Sequence, residues 1–122
     1  MIGYVTLGII ELAKAANFCD ALLATIGAKP TKASGLFIAG SIGLAAPALG
    51  LTIPYDRKPA SVGNGVIVAL AVDSHSKVVA HYKMALELCA TDATAPGPDG
   101  EGFYAGCFRY PAGNKLNAFC TG

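Results

Sequence analysis

Tyr4-Val5-Thr6-Leu7-Gly8-Ile9 returns in kind as Ile67-Val68-Ala69-Leu70-Ala71-Val72, an offset of 63 residues counted from Tyr4 to Ile67. Both runs are short, apolar and rich in Val, Ile and Leu, which reads as strand. The segments behind them overlie one another without a gap. Ala15, Ala16, Cys19, Leu22, Leu23 and Ile26 fall on Val78, Val79, Tyr82, Ala85, Leu86 and Cys89. That i, i+4, i+7 spacing lays an apolar stripe along a helix. Gly27 suits the residue just past the first helix, and Asp73 or Ser74 can cap the second. Ile10 and Glu11 before Leu12 give the first helix no good cap.

Each helix is followed by short strand-like runs with turn residues between them. In the first half these are Lys29–Ala33, Leu36–Ser41 and Ala48–Ile53. In the second they are a piece near Thr91–Thr94, then Phe103–Arg109 and Lys115–Cys120. Asp56–Asn64 reads as a linker, and Ala95–Gly102, with two prolines and three glycines, as an exposed loop. Each half is therefore β-α-β-β-β. The expectation is one α+β domain of two tandem βαβββ modules, about 1–55 and about 65–122, whose sheets curve around a cleft. Strand parity turns Val5, Leu7, Ile9, Val68, Leu70 and Val72 toward the helices. Tyr4, Thr6, Ile67, Ala69 and Ala71 face the other way. Leu116, Ala118 and Cys120 share one face of the last strand, with Asn117 and Phe119 opposite.

Composition narrows the partners. Hydrophobic residues make up 53% of the chain and charged ones 14%, with a net charge of +1. So much apolar surface predicts a second subunit, hence a homodimer. With no basic run, nothing neutralises a phosphate backbone, and nucleic acid is not an expected partner. Positions 33–55 are 23 residues without a charge, long enough to span a bilayer. Pro47, Pro54 and several glycines break that stretch into strands around a turn, so no membrane span is expected. The N-terminus lacks the basic region and small-residue cleavage site of a secretion signal. Cys19, Cys89, Cys107 and Cys120 show no metal-type spacing. A reduced, cytoplasmic protein with four buried thiols is the expectation.

Three segments resemble the glyoxalase/bleomycin-resistance/dioxygenase (vicinal oxygen chelate) superfamily. Tyr4-Val-Thr-Leu-Gly with Glu11-Leu-Ala-Lys-Ala-Ala-Asn-Phe-Cys-Asp resembles its opening strand and helix, and Gly65 to Asp73 resembles the start of its second module. Phe108-Arg-Tyr-Pro-Ala-Gly-Asn-Lys-Leu-Asn-Ala-Phe resembles its terminal hairpin, F-x-D-P-D-G-N-x-I-E, with Tyr110 and Ala112 in place of two Asp. The resemblance implies paired modules around a cleft and, in metal-using members, four ligands of His and Glu type. Those positions fall on Tyr4, Gly50, Ile67 and Asn117. None supplies the carboxylate, imidazole or thiolate that a divalent cation needs to repay its dehydration. No metal and no cofactor are expected.

The remaining candidates weigh less. His75 and His81 lie six residues apart on the second helix, on different sides of it, and are expected at the surface or in helix packing. Cys89 and Cys120 read as packed. Cys107 is the cysteine placed to see the cleft, if its strand parity allows. Gly63 and Gly65 read as a linker turn rather than a phosphate loop. Arg109 reads as a solvated charge rather than an anion anchor. Tyr4, Ile67, Tyr104, Asn117 and Phe119 are the candidate ligand-binding residues, an aromatic and aliphatic wall with a phenol and an amide. The expected function is metal-independent binding of a small organic ligand, of the bleomycin-resistance type. The alternative is a lyase, isomerase or dioxygenase of the same superfamily with a nonstandard site.

Overall fold

The computed structural model describes residues 3–34, 37–43, 46–63, 65–98, 100–111 and 113–121; of 31–34 and 37–38 it describes the backbone. Gly35, Leu36, Asn64 and Ala112 lie outside the described residues. The chain divides between Ser61 and Val62 into two compact units. The first holds β1 (Tyr4–Gly8), α1 (Leu12–Ala24), β2 (Lys29–Ser34), β3 (Phe37–Ser41) and β4 (Ala48–Thr52). The second holds β5 (Val68–Ala71), α2 (His75–Glu87), β6 (Thr91–Pro98), β7 (Phe103–Arg109) and β8 (Lys115–Thr121). Each is a four-stranded mixed sheet, ordered β1-β4-β3-β2 and β5-β8-β7-β6. The first strand of each unit pairs in parallel with the last, and the other pairings are antiparallel. This is the expected α+β class.

Each helix forms because one face has apolar partners on its own sheet. On α1 the buried residues are Ala15, Phe18, Cys19, Leu22 and Leu23. On α2 they are Val78, His81, Tyr82 and Ala85. Val5, Leu7, Leu49 and Leu51 lie on the helix side of the first sheet by register. Leu116, Ala118 and Cys120 do so in the second. Ser74 caps α2, its Oγ accepting from the Lys77 N–H at 3.2 Å, whereas Glu11 makes no side-chain cap on α1. Tyr82 also ties α2 to β6, its hydroxyl donating to the Asp92 carboxylate at 2.5 Å. That bond holds the phenol protonated and raises its pKa.

The helix ends explain where the repeat loses a residue. After α1, Gly27 has φ +80°, and the N–H groups of Gly27 and Ala28 close onto the carbonyls of Ala24 and Leu23. This is a Schellman closure with glycine in the left-handed position. After α2 the same closure is made by Cys89 and Ala90, onto Leu86 and Ala85. Cys89 takes the left-handed conformation, φ +74°, one residue earlier than the 63-residue offset places it.

Two expectations are corrected here. Cys89 is exposed, not packed on the stripe, because it takes the left-handed turn position beyond the helix, and Leu86 is 37% exposed. None of the four cysteines forms a disulfide. Burial, with Asp20 adding to it, pushes the Cys19 thiol up to about 12, so its thiolate is scarce. In native protein at pH 8, a disulfide exchange reagent should modify Cys89 fast and Cys19, Cys107 and Cys120 only on unfolding. Fast release of even one equivalent from a Cys89→Ser variant would contradict this burial pattern.

The second correction concerns β6, which runs on to Pro98 through most of the predicted loop. Register shifts between Asp92 and Thr94 and between Thr94 and Gly97 absorb the misfit. Prolines are tolerated because β6 is an edge strand, with no outer ladder to donate to.

Candidate functional site

The sheet face turned away from the helix carries the candidate chemistry in each unit. In the first unit Tyr4 stands beside Ala48, Thr6 beside Gly50 and Gly8 beside Thr52. Ala39 and Ser41 continue the Gly50 and Ala48 rows on β3. Tyr4 is 65% exposed. The Ser41 hydroxyl is spent on the turn behind it, donating to the Gly43 carbonyl at 2.8 Å.

In the second unit the same face carries Ala69 and Ala71 on β5, then Asn117 and Phe119 on β8, then Ala105 and Cys107 on β7. Asn117 is in register with Ala69 on one side and Cys107 on the other. Its Nδ2 donates to Cys107 Sγ at 3.7 Å. Its Oδ1 is buried without a hydrogen-bond partner among the described residues. Leaving such an acceptor unmet costs about 1–3 kcal/mol. Phe119 packs against Phe103, ring centroids 6.0 Å apart. Ala69 and Ala71 are exposed, so the amide is bordered by methyl groups on its β5 side.

Register also resolves the positions suggested by the family motif. Tyr4 lies one same-face row before the Thr6–Gly50 row, and Ile67 one such row before Ala69–Asn117. The two positions therefore stand in the same diagonal relation in both units, as a duplicated module requires. Ile67 itself precedes β5 and is 42% exposed.

The donor set does not fit a divalent ion. A phenol, a glycine, an aliphatic side chain and a carboxamide occupy the four positions. Thr6, Ala48 and Ala69 beside them add no imidazole or carboxylate, and Cys107 adds a single thiol. Among the described residues no three of His, Cys, Asp and Glu come together as a metal would need.

Of the five candidate ligand residues, Asn117 and Phe119 share one face of β8. Tyr104 does not join them. It is in register with Cys120 on the helix side, where its ring stacks on His75 at 3.9 Å and an interplanar angle of 7°. The turn-rich start of β7 hides that parity in the sequence, whereas the alternation of Leu116, Ala118 and Cys120 with Asn117 and Phe119 shows it in β8. Cys107 does fall on the Asn117 face. His81 is fully buried, tilted against Phe108 with centroids 5.5 Å apart. It sits where the repeat places Phe18, a signal legible in the sequence. Arg109 donates from Nη1 to the Gly113 carbonyl at 2.9 Å, clamping the β7–β8 turn.

No family model and no curated protein matches the sequence. Among solved structures, a glyoxalase/bleomycin resistance protein from Albidiferax ferrireducens T118 superposes with a TM-score of 0.92 at 28% identity, covering 100% of this chain and 99% of that one. A glyoxalase/bleomycin resistance protein/dioxygenase family enzyme from Burkholderia phytofirmans PsJN gives 0.77 at 16% identity, covering 98% and 97%. A glyoxalase-related enzyme from Fulvimarina pelagi gives 0.77 at 16%, covering 99% and 88%; these last two speak to the fold alone. With two βαβββ units in this strand order, the chain has the glyoxalase/bleomycin-resistance fold and resembles the glyoxalase/bleomycin resistance protein/dioxygenase superfamily over its whole length.

Proposed function

We propose that this protein binds a small organic ligand, without a metal, on the sheet surface opposite the helices. The observation that carries the reading is the buried Asn117 carboxamide, whose acceptor is unmet on a face lined by alanines, Cys107 and Phe119. A surface of that kind suits recognition by shape, apolar burial and one or two polar points. Among the described residues it brings no acid and base together for proton transfer. The same reading takes the protein as a cytoplasmic homodimer. Four reduced cysteines support the compartment. Exposed apolar side chains such as Ile42, Tyr55 and Phe103 support a partner subunit. No helix among the described residues is long and apolar enough to cross a membrane.

The test is a thermal-shift screen of the metal-stripped protein with divalent ions and with small aromatic compounds, with light scattering for the assembly. A ligand at about 100 times its Kd stabilises by about 2.7 kcal/mol, enough to shift the Tm by several degrees. Aromatic compounds should raise the Tm of the wild type and less that of Asn117→Leu, while Ni, Zn, Mn and Fe ions leave both unchanged. About one tightly held metal ion per chain after gel filtration would overturn the metal-free reading. A monomer mass across the micromolar range would overturn the dimer.

A further inference from the structure

The Asn117 amide has its two ends in unlike surroundings. Nδ2 is engaged by Cys107 Sγ, directly across the β7–β8 register. Oδ1 has no partner among the described residues, and the residue is only 7% exposed. A thiol sulfur is a weak acceptor, yet it gives the amide a reason to turn its oxygen, not its amino group, away from Cys107 and toward the β5 side. On that side Ala69 contributes a methyl group, and Phe119, two residues along β8, an aromatic ring tilted on Phe103. The oxygen is thus a lone polar point in an apolar and aromatic setting. Only a group carrying an N–H or O–H can satisfy it. A group with lone pairs alone would set acceptor against acceptor.

We infer that this face selects aromatic ligands that present a hydrogen-bond donor, a hydroxyl or an N–H, to Asn117 Oδ1. Cys107 is the positioning residue that keeps that oxygen turned toward the ligand. The inference rests on the binding function proposed above and adds to it the ligand class and a residue that acts through another.

The probes are 2-naphthol, which donates, and 2-methoxynaphthalene, which only accepts. The methyl ether has the larger apolar surface, so burial alone favours it, and a preference for the naphthol reports the hydrogen bond. Kd values are measured by calorimetry on the full chain for the wild type, Asn117→Leu, Cys107→Ser and Cys107→Ala, each checked for an intact Tm. The wild type should prefer 2-naphthol by about tenfold, the scale of a hydrogen bond to an otherwise unmet buried acceptor. Asn117→Leu should abolish the preference. Cys107→Ser, which keeps an acceptor for Nδ2, should retain it, and Cys107→Ala, which frees the amide to turn, should reduce it to about twofold or less. A purely structural role for Cys107 would change Tm and leave this ratio alone.

Equal binding of the two probes by the wild type, or a preference for the ether, overturns the inference while the binding function stands. Loss of the preference in Asn117→Leu with none in Cys107→Ala overturns the role of Cys107. No saturable binding of either probe overturns the binding function itself.

Discussion

Phe108→Ala should lower the stability of the second unit by about 3–5 kcal/mol, read as a shift in urea midpoint at unchanged slope. Phe108 has no exposed surface and is the largest fully buried side chain among the described residues. It sits on the helix side of β7, in register with Leu116 and against the His81 ring. Truncation removes the transfer free energy of a whole ring and leaves a cavity in a tightly packed layer. Tyr82 and Val78 are anchored on the same helix face and cannot collapse into the void without undocking α2. Phe119→Ala is the matched control, since that ring is only half-buried, on the opposite face of the same sheet. Its loss should cost clearly less. Equal costs would mean that α2 does not pack on β7 as described.

Gly40→Ala should cost about 1–3 kcal/mol, from overpacking rather than from backbone strain. A Cβ at Gly40 would lie 2.6 Å from Leu23 Cδ1 and 3.4 Å from the Lys29 carbonyl oxygen. Leu23 is 3% exposed and has little room to swing away. The glycine thus lets α1 approach β3, a role its flanking residues Ala39 and Ser41 do not announce. Leu23→Ala alone should be destabilising through its cavity, by about 2–5 kcal/mol. The double variant should be more stable than the sum of the two single losses predicts, because the new methyl fills part of the space the leucine vacates. Strict additivity in chemical denaturation would show that the two side chains do not meet.

The architecture was legible in the order of residues. A 63-residue self-similarity, two stripes of helical period and short alternating strands sufficed for two βαβββ units. Periodicity reports which side of an element is apolar, and a duplicated pattern reports the same element twice. Alternation along the last strand also sets its parity, with Leu116, Ala118 and Cys120 on one face and Asn117 and Phe119 on the other. Position 81 was legible as well, through Phe18 in the repeat, although an imidazole in a core is easily passed over. Other features depended on tertiary structure, because they are set by what a side chain meets across the sheet. Register alone sends Tyr104 to the helix side, where His75 stacks on it, and brings Cys107 opposite Asn117. A one-residue step in a strand reverses the face, and the turn-rich lead into β7 leaves that step undetermined in sequence. The left-handed Cys89 arises likewise from a helix end closing one residue early, and β6 absorbs Pro96 only because its outer edge is unpaired. A chain records its local preferences in order. Partnership across strands is a property of register and packing, and it is register that sets the Asn117 amide against a thiol on one side and a methyl on the other.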